Sequence, residues 1–148
     1  MESPGLTVCI ERLFAVSRTR IFDALTSPEE LRRWWGPRGF SAPSVEVDLH
    51  IGGRYRIAMR PPEGDIFHVT GAFLDVAPPG RLAYTFRWEE PDPDDRETVV
   101  TVSLDQRGAT TLLTVTQGSF ATGARRELHQ QGWRESLHRL GEVLSAAG

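Results

Sequence analysis

The sequence predicts an α+β fold in which a curved antiparallel sheet of six to seven strands wraps around one long C-terminal helix, with two short helices between strands one and two. Three observations carry this. From Val45 onward, apolar residues recur at every second position in a series of short segments. Those segments are joined by only a few residues each, which requires antiparallel neighbours. Finally, Thr122 to Ser145 is the one long stretch of helical period, with Trp133, Leu137, Leu140 and Leu144 on a single narrow face. Towards the N-terminus that face continues through His129 and Arg126, so it is apolar at one end and polar at the other. A sheet with one apolar face needs a cover, and this helix supplies it.

The first strand is Leu6 to Phe14, an imperfect alternation. Ser17 is placed to cap a short helix with Ile21, Phe22 and Leu25 on one side. Ser27-Pro28-Glu29-Glu30 reads as a capping box with proline at the first helical position, setting Leu31, Trp34 and Trp35 on a second short helix that Gly36-Pro37 ends. Val45, Val47 and Leu49 then face one way and Glu46 and Asp48 the other. After Gly52-Gly53, Tyr55, Ile57 and Met59 alternate with arginines and Ala58. Residues 61–65 turn the chain, and Ile66 to Val76 places Phe67, Val69, Gly71 and Phe73 on one face. Pro78-Pro79-Gly80 turns it again, and Leu82, Tyr84, Phe86 and Trp88 share a face. Thr98 to Leu104 and Thr111 to Gln117 form the last hairpin, around Gly108.

At 148 residues the chain has the length of a single domain, 1–148, able to bury about 68–70% of its unfolded surface. No apolar run approaches the ~18–20 residues of a membrane span, and MESPGLTV lacks the basic and apolar regions of a signal peptide. A lone cysteine, Cys9, suits a reducing cytoplasm; mid-strand and beside no base, it is expected to be a small buried hydrophobe. Net charge is −3 with acids and arginines interspersed, which argues against nucleic acid. All 17 basic residues are arginine, so Schiff-base and P-loop lysine chemistry are excluded for this sequence. The densest charge run, Glu89 to Glu97, reads as a solvated turn, with a weak cation site or partner contact as the alternative.

Several stretches together resemble the START-like SRPBCC superfamily, most closely the branch named for activators of a heat-shock-protein ATPase. They are Phe14 with Arg18 to Leu25, then Thr26 to Leu31 with Trp34-Trp35-Gly36-Pro37, and Asp48-Leu49 with Gly52-Gly53-Arg54. Gly71 with Asp75 to Leu82, and Gly132-Trp133 with Leu137 and Leu140, complete the set. The resemblance runs in order along nearly the whole chain. It implies a helix-grip (Bet v-like) fold enclosing a cavity between sheet and terminal helix. It does not imply one activity, since members look like ligand carriers, regulators, cyclases and co-chaperone domains. A chaperone partner is not expected, because the chain carries no second module to contact one.

Alternation assigns Tyr55, Ile57, Met59, Phe67, Val69, Phe73, Tyr84, Phe86, Trp88, Val100, Val102, Leu113, Val115 and Gln117 to the inward face of the sheet. The terminal helix adds Trp133 and Leu137, and the capping-box helix adds Trp34 and Trp35 near the mouth. Nine aromatics exceed what a core this size needs for filling. An apolar cavity with few polar groups is how small-molecule sites are built. Among inward polar residues, Gln117 needs an internal partner, a water or a ligand. Arg126 could bind a carboxylate or phenolate, and His129 could shuttle a proton near neutral pH. Tyr55 and Tyr84 could orient a ligand through their hydroxyls.

Templates for other chemistry fail. HExxH, CxxC and GxSxG are missing, His50 and His68 lack neighbours at metal-ligand spacing, and Glu46 and Asp48 point outward. No metal and no cofactor is expected, and no catalytic residue beyond the candidate His129. The leading expectation is therefore a cytoplasmic binding protein for an apolar, aromatic or polycyclic small molecule. A cyclase or dehydratase using the same cavity, and a co-chaperone-like or regulatory interaction domain, are the alternatives. Leu128, off the inward stripe, is a candidate contact for a homodimer.

Overall fold

The alternating segments Arg54–Arg60 and Arg81–Trp88 form strands with the bounds their patterns predict. The computed structural model describes residues 6–146; most of the N-terminal stretch read above for targeting features lies outside them. The elements are β1 (Val8–Phe14), α1 (Arg18–Thr26), α2 (Pro28–Trp34), β2 (Ser41–Val47), β3 (Arg54–Arg60), β4 (Phe67–Ala77), β5 (Arg81–Trp88), β6 (Thr98–Arg107), β7 (Thr110–Gly118) and α3 (Gly123–Ala146). The seven strands form one sheet in the order β1-β7-β6-β5-β4-β3-β2, and every neighbouring pair is antiparallel. This is the α+β helix-grip arrangement. No helix among the described residues is long and apolar enough to cross a membrane.

The apolar stripe of α3 is buried as its period requires: Trp133 is 7% exposed, Leu137 1%, Leu140 0% and Leu144 3%. They belong to one core with Val102, Leu104, Leu113 and Val115 of β6 and β7 and with Phe14 of β1. α3 also packs on α2, and α2 on β2, so the two short helices close one side of the groove. Gly71 of β4 is dictated by the crossing of Tyr55. A Cβ there would sit 1.8 Å from the Thr85 carbonyl oxygen and 2.7 Å from the Tyr55 ring. With no side chain in the way, the Tyr55 hydroxyl donates to that same carbonyl at 2.7 Å.

Local expectations need correcting in two places. Ser17 caps α1 as anticipated, accepting from the Arg20 N–H at 3.2 Å. Ser27, however, begins α2 without a side-chain capping bond. It also ends α1, its own N–H donates to the Asp23 carbonyl, and Glu30 turns to Arg20 at 2.7 Å, so the reciprocal capping box does not form. Cys9 is exposed, not buried, because the outer face of β1 is open.

Candidate functional site

The groove between α3 and the sheet does not close along its whole length. At the N-terminal half of α3 it opens into a cavity of about 380 Å³, within the lower part of the range for small-molecule sites. The walls come from three places. β3, β4 and β5 contribute Met59, Phe67, Phe86 and Trp88; α3 contributes His129, Gly132, Trp133 and Ser136; the loop after α2 contributes Trp35, Gly36, Pro37 and Phe40. Phe86–Trp88 and Trp35–Trp133 meet edge to face, with centroids 5.0 and 6.1 Å apart, and Phe67 lies tilted against Trp88 at 5.2 Å.

The loop wall is held from behind. Gly36 adopts φ +96°, in the left-handed region that favours glycine. Arg139 of α3 donates to the carbonyls of Trp35, Gly36 and Pro37 at 2.9–3.2 Å, and to that of Arg33 at 3.2 Å. One guanidinium thereby satisfies the orphan carbonyls at the end of α2 and ties the loop to the long helix. The Arg38 N–H, donating to Glu135 at 2.9 Å, adds a second tie.

The predicted site residues separate into three groups. Trp35, Met59, Phe67, Phe86, Trp88, His129 and Trp133 line the cavity. Tyr55, Ile57, Phe73 and Tyr84 border a second void of only about 20 Å³, too small for more than a water. Val69, Val102, Leu113, Val115 and Leu137 are filled core, as is Trp34, whose indole N–H donates to the Ala24 carbonyl at 2.8 Å and which does not stand at the mouth. Alternation identifies the face on which a residue lies but not its distance along the groove, so core and cavity positions share one pattern.

The polar candidates also resolve. Gln117 is fully buried and internally paired: its amide donates to the Thr98 hydroxyl at 3.0 Å and its carbonyl accepts from the Trp133 indole at 2.8 Å. It positions Trp133 and does not reach the cavity. The Tyr55 hydroxyl is spent on Thr85, and burial pushes the phenols of Tyr55 and Tyr84 well up. Arg126 does not line the cavity and pairs with Glu127. The lining guanidinium is its neighbour Arg125, which stands one helical turn before His129.

His129 packs among Phe120, Phe86 and Trp88, with centroids at 4.7, 5.4 and 6.0 Å. Burial, with the Arg125 guanidinium beside it, lowers its pKa to about 4, so the imidazole is neutral at pH 7.

The acidic run Glu89 to Glu97 is not a free turn. Glu90, Asp92 and Asp95 line the cavity mouth. Arg125 pairs with Asp92, with Asp94 at 3.0 Å and with Asp95 at 3.3 Å. The Thr122 hydroxyl donates to Asp94 at 2.9 Å while accepting the Arg125 N–H. The loop is thus bound to the first turn of α3, and Arg125 holds the Asp94 carboxyl below its usual range. Nearby, His68, Glu89 and Glu90 come within metal-ligating distance, a meeting that their separation in sequence concealed. Arg56 already holds Glu89 through two bonds of 2.8 and 2.9 Å, and the backbone N–H and Nδ1 of His68 lie 2.8 Å from the two Glu90 oxygens.

A curved antiparallel sheet gripping one long helix over a lined cavity defines a START-like, helix-grip domain. The chain belongs to the family described as activator of Hsp90 ATPase homolog 1-like protein, whose model matches residues 15–145. Among solved structures it is similar to the AHSA1 protein of Silicibacter pomeroyi, at 28% identity and TM-score 0.82 over 96% of this chain and 99% of that one. A Nitrosomonas europaea protein aligns at 27% identity and TM-score 0.83, over 99% of this chain and 98% of the other. A Chromobacterium violaceum protein shares the fold at 24% identity and TM-score 0.85, over 93% and 96%. No curated protein matches the chain. Family and fold support a ligand-binding or regulatory domain.

Proposed function

We propose that this protein is a cytoplasmic carrier or sensor that binds an apolar aromatic molecule in the cavity beneath Trp133. The observation that carries this reading is the cavity itself: about 380 Å³ walled by Trp35, Phe40, Met59, Phe67, Phe86, Trp88 and Trp133. Rings braced against one another leave a planar guest large apolar area to cover, and each square ångström removed from water is worth about 25 cal/mol before the costs of association. The test uses Nile red, a neutral aromatic dye. Its fluorescence should rise on binding to the native protein, and Ser136→Leu, which fills the cavity from α3, should weaken that binding at least tenfold. Equal binding by both proteins would contradict the reading.

The cyclase or dehydratase alternative has less support. It needs His129 to exchange a proton, yet a ring with a pKa of about 4 is protonated in roughly one molecule in a thousand at pH 7, a poor general acid. The co-chaperone alternative places function on the outer surface. A stoichiometric protein partner retained by Ser136→Leu would favour it over the cavity reading.

A further inference from the structure

The mouth of the aromatic cavity carries carboxylates in excess over cations. Three carboxylates, Glu90, Asp92 and Asp95, line it against a single guanidinium, Arg125. That guanidinium is not free for a ligand, because Asp92, Asp94 and Asp95 surround it, and its side chain is only 17% exposed. His129, the other group able to carry positive charge on the wall, is neutral. His68 stands behind Glu90, and Arg56 is bound to Glu89; neither lines the cavity. Beside these acids stand the rings of Trp88, Phe86 and Phe67.

We propose that the occupant is a cationic amphiphile: an aromatic or polycyclic body seated among the rings, with a protonated amine or quaternary ammonium directed to the acidic mouth. This rests on the cavity reading and refines it. Two separate features select the cation. Ring faces carry negative quadrupole charge and attract ammonium groups, most strongly when these are partly desolvated. Carboxylates in excess over guanidinium at the entrance favour a positive guest and repel an anion before it is seated. A carboxylate or phenolate would have to displace three aspartates from Arg125 to gain one partner.

The test uses three probes with one ring system: pyrenemethylamine, pyrenemethanol and pyrenecarboxylate, titrated into the full chain and followed by calorimetry. The amine should bind at least tenfold more tightly than the alcohol, with the carboxylate weakest. The preference should shrink as salt is raised, while the affinity of the alcohol holds. Asp92→Asn removes one exposed carboxylate and leaves Asp94 and Asp95 on Arg125. It should weaken the amine about threefold more than the alcohol, whereas mere loosening of the loop would weaken both equally. An alcohol or carboxylate bound as tightly as the amine would overturn the charge assignment and leave the cavity reading standing. Binding by none of the three would overturn both.

Discussion

Leu140 and His129 lie on the same face of α3, about 16 Å apart along the helix at 1.5 Å per residue, and they meet the sheet in opposite ways. Around Leu140 the groove is shut: Leu137, Leu140 and Leu144 are all within 3% of full burial, in one core with Val102, Leu104, Leu113, Val115 and Phe14. Around His129 the helix touches the sheet through that ring, which packs on Phe86 and Trp88, but a cavity remains beside it, lined by Trp35, Met59, Phe67 and Trp133. At the closed end aliphatic side chains from both layers interdigitate to crystal-like density. At the open end the wall is completed by two loops, one held by Arg139 and the other by Arg125. One end of the helix supplies stability and the other supplies room.

That division can be broken at either end. At the closed end, Leu140→Ala should cost about 2–5 kcal/mol in denaturant unfolding, since a fully packed site cannot relax around the void, while Nile red affinity stays near native. A loss below about 1 kcal/mol would mean that the closed end is looser than described. At the junction of the two ends, Trp133→Phe removes the donor to the buried Gln117 carbonyl. It should cost about 1–3 kcal/mol and also weaken dye binding, because it alters a wall as well as a hydrogen bond.

The open end should respond to acid. His129 is held near pKa 4 in the folded state and titrates near 6.5 when unfolded. The unfolded chain therefore binds the proton first as pH falls. Stability from the neutral ring is fully present above pH 6.5 and is lost as pH drops towards 4, by about 1–3 kcal/mol. The buried-ring contribution should be visible between about pH 6.5 and 5, above the range where Glu89, Glu90, Asp94 and Glu135, lowered in the folded state, begin to lose their own contribution as the unfolded chain takes up protons. His129→Phe should flatten the stability profile in that window; an unchanged slope would remove the ring as its cause. The smallest effect is expected at Gly132. Its added Cβ would meet only Pro37, at 3.8 Å, so Gly132→Ala should stabilise the protein by about 0.5–1 kcal/mol through helix propensity. Destabilisation would show that the helix packs more tightly on Pro37 than a 3.8 Å approach implies.

The two ends also differ in how far the sequence reveals them. The closed end is written in period: Leu137, Leu140 and Leu144 recur at helical spacing, and the meander follows from alternation and short turns. The open end depends on three-dimensional pitch and on loops. A choice between steps of three and four residues back from His129 separates Arg126 from Arg125, and the curvature of the groove decides it. Phe40 and Pro37 enter from a segment with no period, placed by Arg139. Asp92 and Asp95 look like turn residues until Arg125 is seen to gather them. Trp34 and Trp35 are neighbours in sequence, yet one is core and the other is wall, because the backbone leaves the helix between them.

The tryptophans give the most direct measurement of whether the cavity accepts a guest. Four indole N–H signals are available in a nitrogen-15 spectrum, one from each of Trp34, Trp35, Trp88 and Trp133. On titration with pyrenemethanol, the signals of Trp35, Trp88 and Trp133 should shift saturably while that of Trp34, bonded to Ala24 in the core, moves least. Four stationary signals, or a shift confined to Trp34, would contradict the account.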